Sequence, residues 1–395
     1  MKKTTNTKTT NTKTTSTKPT STKPTSTKPT AKTTATKPST TKHVAAKAQT
    51  SKITSTNGKK AATKSTTEAK KGQDKQLADK VDNSAFISKE NPKCVAPTKQ
   101  DMITTNTFTC TQTLKAHNDW ILNILVLKNG RFITCSEDKT MKLWDLTESP
   151  NKAIQIYKGH EEGVISCIEF TNTKIVSCSR DKTLRIWNIE SAKELACIKS
   201  IQPYYCMQQI SDAQIAVAGG DRDIRVYDLS NEDETTESYI LEGHELVIRD
   251  LEYINENTLA SCSEDKTIKV WNFADKKLLF TLGGHTEGVK CIKLLQDGRL
   301  ASGAYDNNIK IWNLKTQKCE MTLEGHTGHV ITLSQLCNGL LVSGATDWSI
   351  MLWDLKTGKM EKEVEGHNES VNSVAILPNG KVLSGSTDCT VKIWE

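Results

Sequence analysis

No aromatic side chain precedes Phe86 and no arginine precedes Arg131. That absence excludes a packed aromatic core in the leading segment. It also excludes nucleic-acid reading there by base stacking or by Arg forks. Long apolar runs are missing throughout. None approaches the ~20 residues of a membrane span, so no transmembrane segment is expected. The start, Met1-Lys2-Lys3-Thr4-Thr5-Asn6-Thr7, has lysines but no apolar stretch behind them, and a secretory signal is not expected. The 12 Cys form no CxxC pair and no zinc-type spacing with His. This argues against a disulfide framework and a zinc site and fits a reducing compartment, cytoplasmic or nuclear. No Gly-rich phosphate loop is present, so neither a metal nor a cofactor is expected.

Charge is unevenly spread. Residues 1–100 hold 22 Lys and five acidic residues, a net +17, whereas residues 101–395 hold 31 basic and 41 acidic residues, a net −10. The first thirty residues are pentads of the kind NTKTT and STKPT, with 14 Thr among them. Within residues 1–67 only Met1, Val44 and Ile53 are apolar and larger than Ala. Such a segment buries too little apolar surface to offset the entropy of ordering it. Residues 1–106 are therefore expected to be a disordered, basic Lys/Thr/Ser/Pro-rich tail and linker, with a short helix near Thr67–Val81 at most. One reading of the tail is a solvated extension with no specific partner. The other is an electrostatic contact with a polyanion, such as nucleic acid, tubulin, anionic lipid or an acidic protein surface, through counterion release.

Residues 107–395 carry an internal repeat. Its unit is GH, a short apolar strand, S-x-[SAG]-x-D, and a Trp six residues on. EGHELVIRDL…LASCSEDKTIKVWNF and EGHTGHVITL…LVSGATDWSIMLWDL are two of seven units. The Trp position is filled by Trp144, Trp187, Tyr227, Trp271, Trp312, Trp353 and Trp394, at spacings of 43, 40, 44, 41, 41 and 41. Each unit holds three β-type runs before this position and a fourth after it. A period near 41 with GH and WD-type dipeptides resembles the WD-repeat family. The resemblance implies an all-β fold, a seven-bladed β-propeller with four strands per blade. The last unit stops at Trp394-Glu395 without a fourth run. A strand over residues 108–114 is expected to supply it and to close the last blade.

Six units hold His, Ser or Thr, Asp and Trp at fixed spacing, for example His326, Ser343, Asp347 and Trp353. The first has Thr134 in place of Ser. These types could form a hydrolase triad, but six identical copies and the Thr argue for structure, and no catalytic residue is expected. In the family resembled they form a buried network that pins the strands of a blade. The third unit keeps only Asp221, with Val217 and Tyr227 at the Ser and Trp positions, and is expected to be less rigid or to be held by a partner. Cys135, Cys178 and Cys262 share a column with Gly303, Gly344 and Gly385, which marks a small buried slot.

Function is sought in what the repeat leaves unexplained. The family places the GH loop and the Asp turn on one face, the top. Trp120 and His329 stand there where other units carry Gly163, Pro203, Val247, Gly288 and Ser370. Trp348 stands where others carry Lys139, Lys182, Arg222, Lys266, Asn307 and Cys389. Tyr305 and Arg180 precede their turn Asp. Trp120, Arg180, Arg222, Tyr305, His329 and Trp348 are therefore the candidate partner-binding residues, being of the types that dominate binding hot spots. The expected function is a non-enzymatic protein–protein interaction scaffold within a multiprotein complex, with the tail as a second contact. Two alternatives stand beside it. One is a substrate-receptor or adaptor subunit of a ubiquitin ligase. The other is a chromatin-, RNA- or microtubule-associated protein that uses the tail.

Overall fold

The structure is a computed structural model and describes residues 108–231 and 236–395. The expected disordered tail and the short helix near Thr67–Val81 lie outside the described residues.

The described residues form 28 strands in seven four-stranded antiparallel sheets, a seven-bladed β-propeller. Six blades run over residues 121–158, 164–199, 204–241, 248–283, 289–323 and 330–364. The seventh spans residues 371–394 together with residues 110–115. The second strand of each blade lies between two neighbours within its own sheet and is covered on both faces by adjacent blades. Every position of Phe132–Ser136, Leu300–Ala304, Leu341–Ala345 and Val382–Ser386 is therefore buried. This explains why the matching runs are small and apolar without alternation. Outer strands such as Lys359–Val364 are mostly exposed and carry the charge.

No blade owns a core. Leu300 and Trp312 of blade five pack with Ala260 and Val270 of blade four. The ring closes through Leu377 and Leu383 of blade seven against Ile121, Phe132 and Trp144 of blade one. The small slot sits on these interfaces. A Cβ added at Gly344 would stand 2.6 Å from Val371 Cγ1, and one at Gly385 2.7 Å from Ile121 Cγ2. Each slot thus meets the first inner-strand residue of the next blade. Cys135, Cys178 and Cys262 are fully buried in the same column. Burial raises the pKa of Cys178 and Cys262, which makes them inert packing groups rather than nucleophiles.

Cys110–Lys115 forms the outermost strand of the last sheet, antiparallel to Thr390–Trp394. Phe108 and Thr109 precede the regular ladder but are fixed. Phe108 is fully buried and stacks on Trp394 with ring centroids 5.8 Å apart. Thr109 exchanges two backbone hydrogen bonds with Glu395, at 2.8 and 3.0 Å. The register slips between Cys110 and Gln112, so the pairing of Phe108 and Thr109 is not continuous with the ladder that follows.

Candidate functional site

The His/Ser/Asp/Trp sets converge in six blades. His Nδ1 donates to the Asp carboxylate at 2.7–2.9 Å, and the Ser or Thr hydroxyl donates to His Nε2 at 2.6–2.7 Å. The same hydroxyl accepts from Trp Nε1 at 2.8–2.9 Å. Ser177, Ser261, Ser302, Ser343 and Ser384 are fully buried, as is Thr134. The atoms are ordered as in a triad, but a substrate has no path to the hydroxyl. Burial lowers the pKa of His117, His160 and His285 despite their Asp partners. For Asp181 burial acts upward, but hydrogen bonds from Thr183, the Glu161 amide and His160 outweigh it and bring the carboxyl to about 2.

Blade three substitutes its own contact. The Tyr204 and Tyr227 hydroxyls meet at 3.0 Å inside the core, and Asp221 accepts from Arg225 Nε at 2.6 Å. The blade therefore retains a polar tie between its first and third strands.

The top face repeats two backbone devices. In every blade the residue before the turn Asp donates its amide to the loop residue before the inner strand: Glu137 to Trp120, Tyr305 to Gly288 and Thr346 to His329, each at 2.9 Å, are examples. The residue after the turn Asp is left-handed, with φ of 71° at Lys139, 70° at Arg222 and 72° at Trp348. This is a three-residue hairpin closed by a left-handed residue. All seven blades place a residue other than Gly there, and at Trp348 the geometry leaves the residue 53 % exposed.

A third device lies one step inward. Each inner strand carries a β-bulge straight after its first residue. The extra residues are Leu122, Ile165, Tyr205, Arg249, Lys290, Ile331 and Asn372, and all seven line the central channel, a cavity of about 570 Å³. Bulges re-aim side chains next to functional sites. Arg249 lies over the Tyr205 ring, 4.8 Å from its centroid, and its guanidinium donates to Glu264. Deeper in the channel Asp250 accepts from the Ile292 amide at 3.0 Å, and burial pushes its pKa up to about 7. Lys293 pairs with Glu252 at 2.7 Å.

The WD domain, G-beta repeat model matches residues 108–145, 151–188, 235–272, 276–313, 317–354 and 358–395. The chain belongs to the WD-repeat family. The unmatched stretch contains blade three up to Asp228, where the His, Ser and Trp of the network are replaced. A p21-activated protein kinase-interacting protein 1-like from Xenopus laevis is 28 % identical over 178 residues, 44 % of this chain and 47 % of that protein. A WD repeat-containing protein 89 homolog from Dictyostelium discoideum is 44 % identical over 59 residues, 15 % of this chain and 16 % of that one. The matches thus span less than half the length of either relative. The WD40 β-propeller domain of Doa1, a solved structure, superposes with a TM-score of 0.65 at 21 % identity, covering 73 % of this chain and 96 % of that one. Among the described residues no helix is long and apolar enough to cross a membrane.

On this WD-repeat face the six candidate residues fall into three groups. Tyr305 and His329 touch edge to face at 5.1 Å, and His329 Nδ1 donates to the Tyr305 carbonyl at 2.7 Å. The ring of Tyr305 packs close to Gly288, where an added Cβ would stand 3.1 Å from Tyr305 Cδ2. Trp348 is on the blade-six turn whose Thr346 hydroxyl accepts the His329 amide at 2.8 Å. Trp120, 48 % exposed, is joined to Arg180 through Glu137, which accepts from Arg180 Nε at 3.1 Å. Arg222 Nη1 donates to the Glu245 carbonyl at 3.1 Å, beside the exposed Leu246.

Sequence reasoning missed Leu246, which stands where other blades carry Asp119, Glu162, Gln202, Glu287, Gly328 and Glu369. It also missed the bulge ring. A column-by-column comparison one residue past the first inner-strand position would have found both Arg249 and Lys290.

Proposed function

We propose that the chain is a non-enzymatic scaffold that binds a protein partner on the propeller's top face. WD-repeat propellers are typically interaction platforms, and a protein partner is also what the name of the frog relative records for that protein. The observation that carries the reading is Trp348. A half-exposed side chain of Trp348 stands at the turn position where the other blades carry Lys, Arg, Asn or Cys, on the turn whose Thr346 holds His329, the partner of Tyr305. An exposed aromatic at a position where no other blade carries one is of the residue type that dominates binding hot spots.

Trp348→Asn tests it, because Asn tolerates the left-handed backbone that Ala resists. A buried aromatic anchor carries about 2 kcal/mol, so partner capture is expected to fall roughly thirtyfold. The melting temperature should hold, since exposed positions move stability by about 0.5 kcal/mol. Asp297→Asn, on the opposite face, serves as control. Unfolding by Trp348→Asn, with normal partner capture by the folded fraction, would assign Trp348 to packing.

The tail is proposed as a second, electrostatic contact on the ground of its net charge of +17. Affinity for heparin or RNA should then drop steeply between low and physiological salt. The slope should vanish when residues 1–106 are removed. An unchanged slope would move the contact to the propeller. The cytoplasm or nucleus is the proposed location, from the cysteine usage and the missing apolar leader. No observation favours a ubiquitin-ligase receptor over the general scaffold.

A further inference from the structure

The bulge ring is chemically lopsided. Blades one, two and six contribute Leu122, Ile165 and Ile331 to the channel mouth, and blade seven Asn372. The Asn372 amide is already bound to the Ile121 carbonyl at 2.8 Å and to the Thr387 hydroxyl at 3.2 Å. Blades three to five contribute Tyr205, Arg249 and Lys290. The cations of this sector are not equivalent. Arg180 has Glu137 and Arg249 has Glu264. Lys293, further in, has Glu252. Among the described residues, Lys290 has no carboxylate within ion-pairing distance. Asp250 acts on it through space, but its oxygens take the Ile292 and Leu251 amides, at 3.0 and 2.9 Å. Lys290 is largely wrapped by protein while still facing the channel. Burial and the neighbouring Arg249 both act against its charge and lower its pKa.

An unpaired, desolvated cation is costly unless something compensates it. We infer that Lys290, backed by Arg249 and Tyr205, is the acceptor for a carboxylate side chain that a partner polypeptide inserts into the channel mouth. This rests on the top-face reading above and names the chemistry of the partner. Three points select the occupant. Lys290 is the one cation of the sector without a direct ion pair, which suits one carboxylate. A phosphate dianion would bring excess charge close to Glu264 and Asp250. The channel end with the bulges is also the end with the binding loops, so a peptide lying across Tyr305 and Leu246 can send a Glu or Asp side chain inward. Finally, residues 101–395 carry a net −10, so an acidic segment is repelled by the propeller at large and is drawn to its cationic sector. A second copy's basic tail has the wrong sign.

The test uses the full chain with its lysines dimethylated with ¹³C, which keeps their charge. The Lys290 resonance is assigned by its disappearance in Lys290→Gln. An acetylated, amidated triglutamate peptide is titrated in, then the triglutamine peptide, then inorganic phosphate. Triglutamate is expected to shift Lys290 saturably in the millimolar range, with triglutamine silent and phosphate at least tenfold weaker. Saturation transfer read on the triglutamate signals should fall at least tenfold in Lys290→Gln and stay unchanged in Lys266→Gln. Lys266 is an exposed cation of the same face, paired with Glu287. Lys290→Gln removes an unpaired charge, so its melting temperature should not drop. Three outcomes overturn the inference: a Lys290 signal that ignores triglutamate, tighter binding of phosphate than of triglutamate, or equal losses in Lys290→Gln and Lys266→Gln. None of these bears on Trp348→Asn, which reads partner capture by itself, so the two proposals fail separately.

Discussion

A chain lacking residues 1–115 is expected to lose its cooperative unfolding transition or to aggregate, while one lacking only residues 1–106 melts as the full protein does. Nine residues separate the two, residues 107–115, and they hold the outer strand of the last blade. Removing them exposes the whole outer edge of Thr390–Trp394, which then offers unpaired backbone groups to other chains. It also strips two core side chains. Phe108 is fully buried against Trp394, and Leu114 is 3 % exposed in the cluster that joins blade seven to blade one. Each such side chain contributes about 1.5–3 kcal/mol by burial alone. Together they amount to a large part of the stability of a marginally stable domain, about 5–15 kcal/mol. Phe108→Ala isolates the packing component and should cost about 3–5 kcal/mol without opening the edge. Calorimetry on the three proteins ranks the two contributions. Equal melting of the two truncated chains would show that the propeller closes without this strand.

The ring architecture was legible because propeller blades repeat, and a repeat averages out local ambiguity. The Trp144-to-Trp394 column set blade number and register, and the GH and Asp columns placed the top loops. The candidate residues were found as departures from those columns. What stayed hidden has a common physical cause. A bulge adds one residue to a strand without changing its composition, so Tyr205, Arg249 and Lys290 read as ordinary inner-strand positions. Only the register shows that each is turned toward the channel. Blade three was misleading for a related reason. The loss of Ser and Trp at Val217 and Tyr227 reads as a loss of polar ties. The replacement partner, Tyr204, stands at the first inner-strand position, which is Ile or Val in the other blades, and its hydroxyl meets Tyr227 only in three dimensions.

Asp347→Ala is expected to cost about 3 kcal/mol at neutral pH, the upper end of what unpaired buried polar groups cost. The Asp347 carboxylate holds five donors: His326 Nδ1 at 2.8 Å, the Thr327, Gly328 and Ser349 amides at 2.9, 3.3 and 3.1 Å, and the Ser349 hydroxyl at 2.8 Å. Its removal leaves the His326 ring, buried and next to Trp353, without the group that fixes its tautomer. Ser343→Val should cost nearly as much, since it strands Trp353 Nε1 and His326 Nε2 together. In blade three the double change Tyr204→Phe and Tyr227→Phe should cost less than about 1 kcal/mol, because both partners of one bond are removed at once. The pH dependence has a definite sign. Burial alone would raise Asp347, but His326 and Ser349 hold its pKa below the usual carboxylate range. A depressed carboxyl contributes stability above its unfolded pKa, about 4, and loses it as pH falls through the folded value. The cost of Asp347→Ala should therefore be full at pH 7 and should shrink below about pH 4, as the carboxylate gains its proton in the unfolded wild-type chain while the folded one stays ionised. The lowered His117, His160 and His285 act in the same direction at higher pH, favouring the fold above about 6.5 and releasing that stability in acid. Asp250 opposes them, since its raised pKa favours the fold in acid and that contribution is lost as pH rises through about 7. Urea unfolding of wild type and Asp347→Ala at pH 7, 5 and 3.5 separates these contributions. A mutational cost that stays constant or grows in acid would mean that Asp347 is held by packing, and not by the charge it presents to His326.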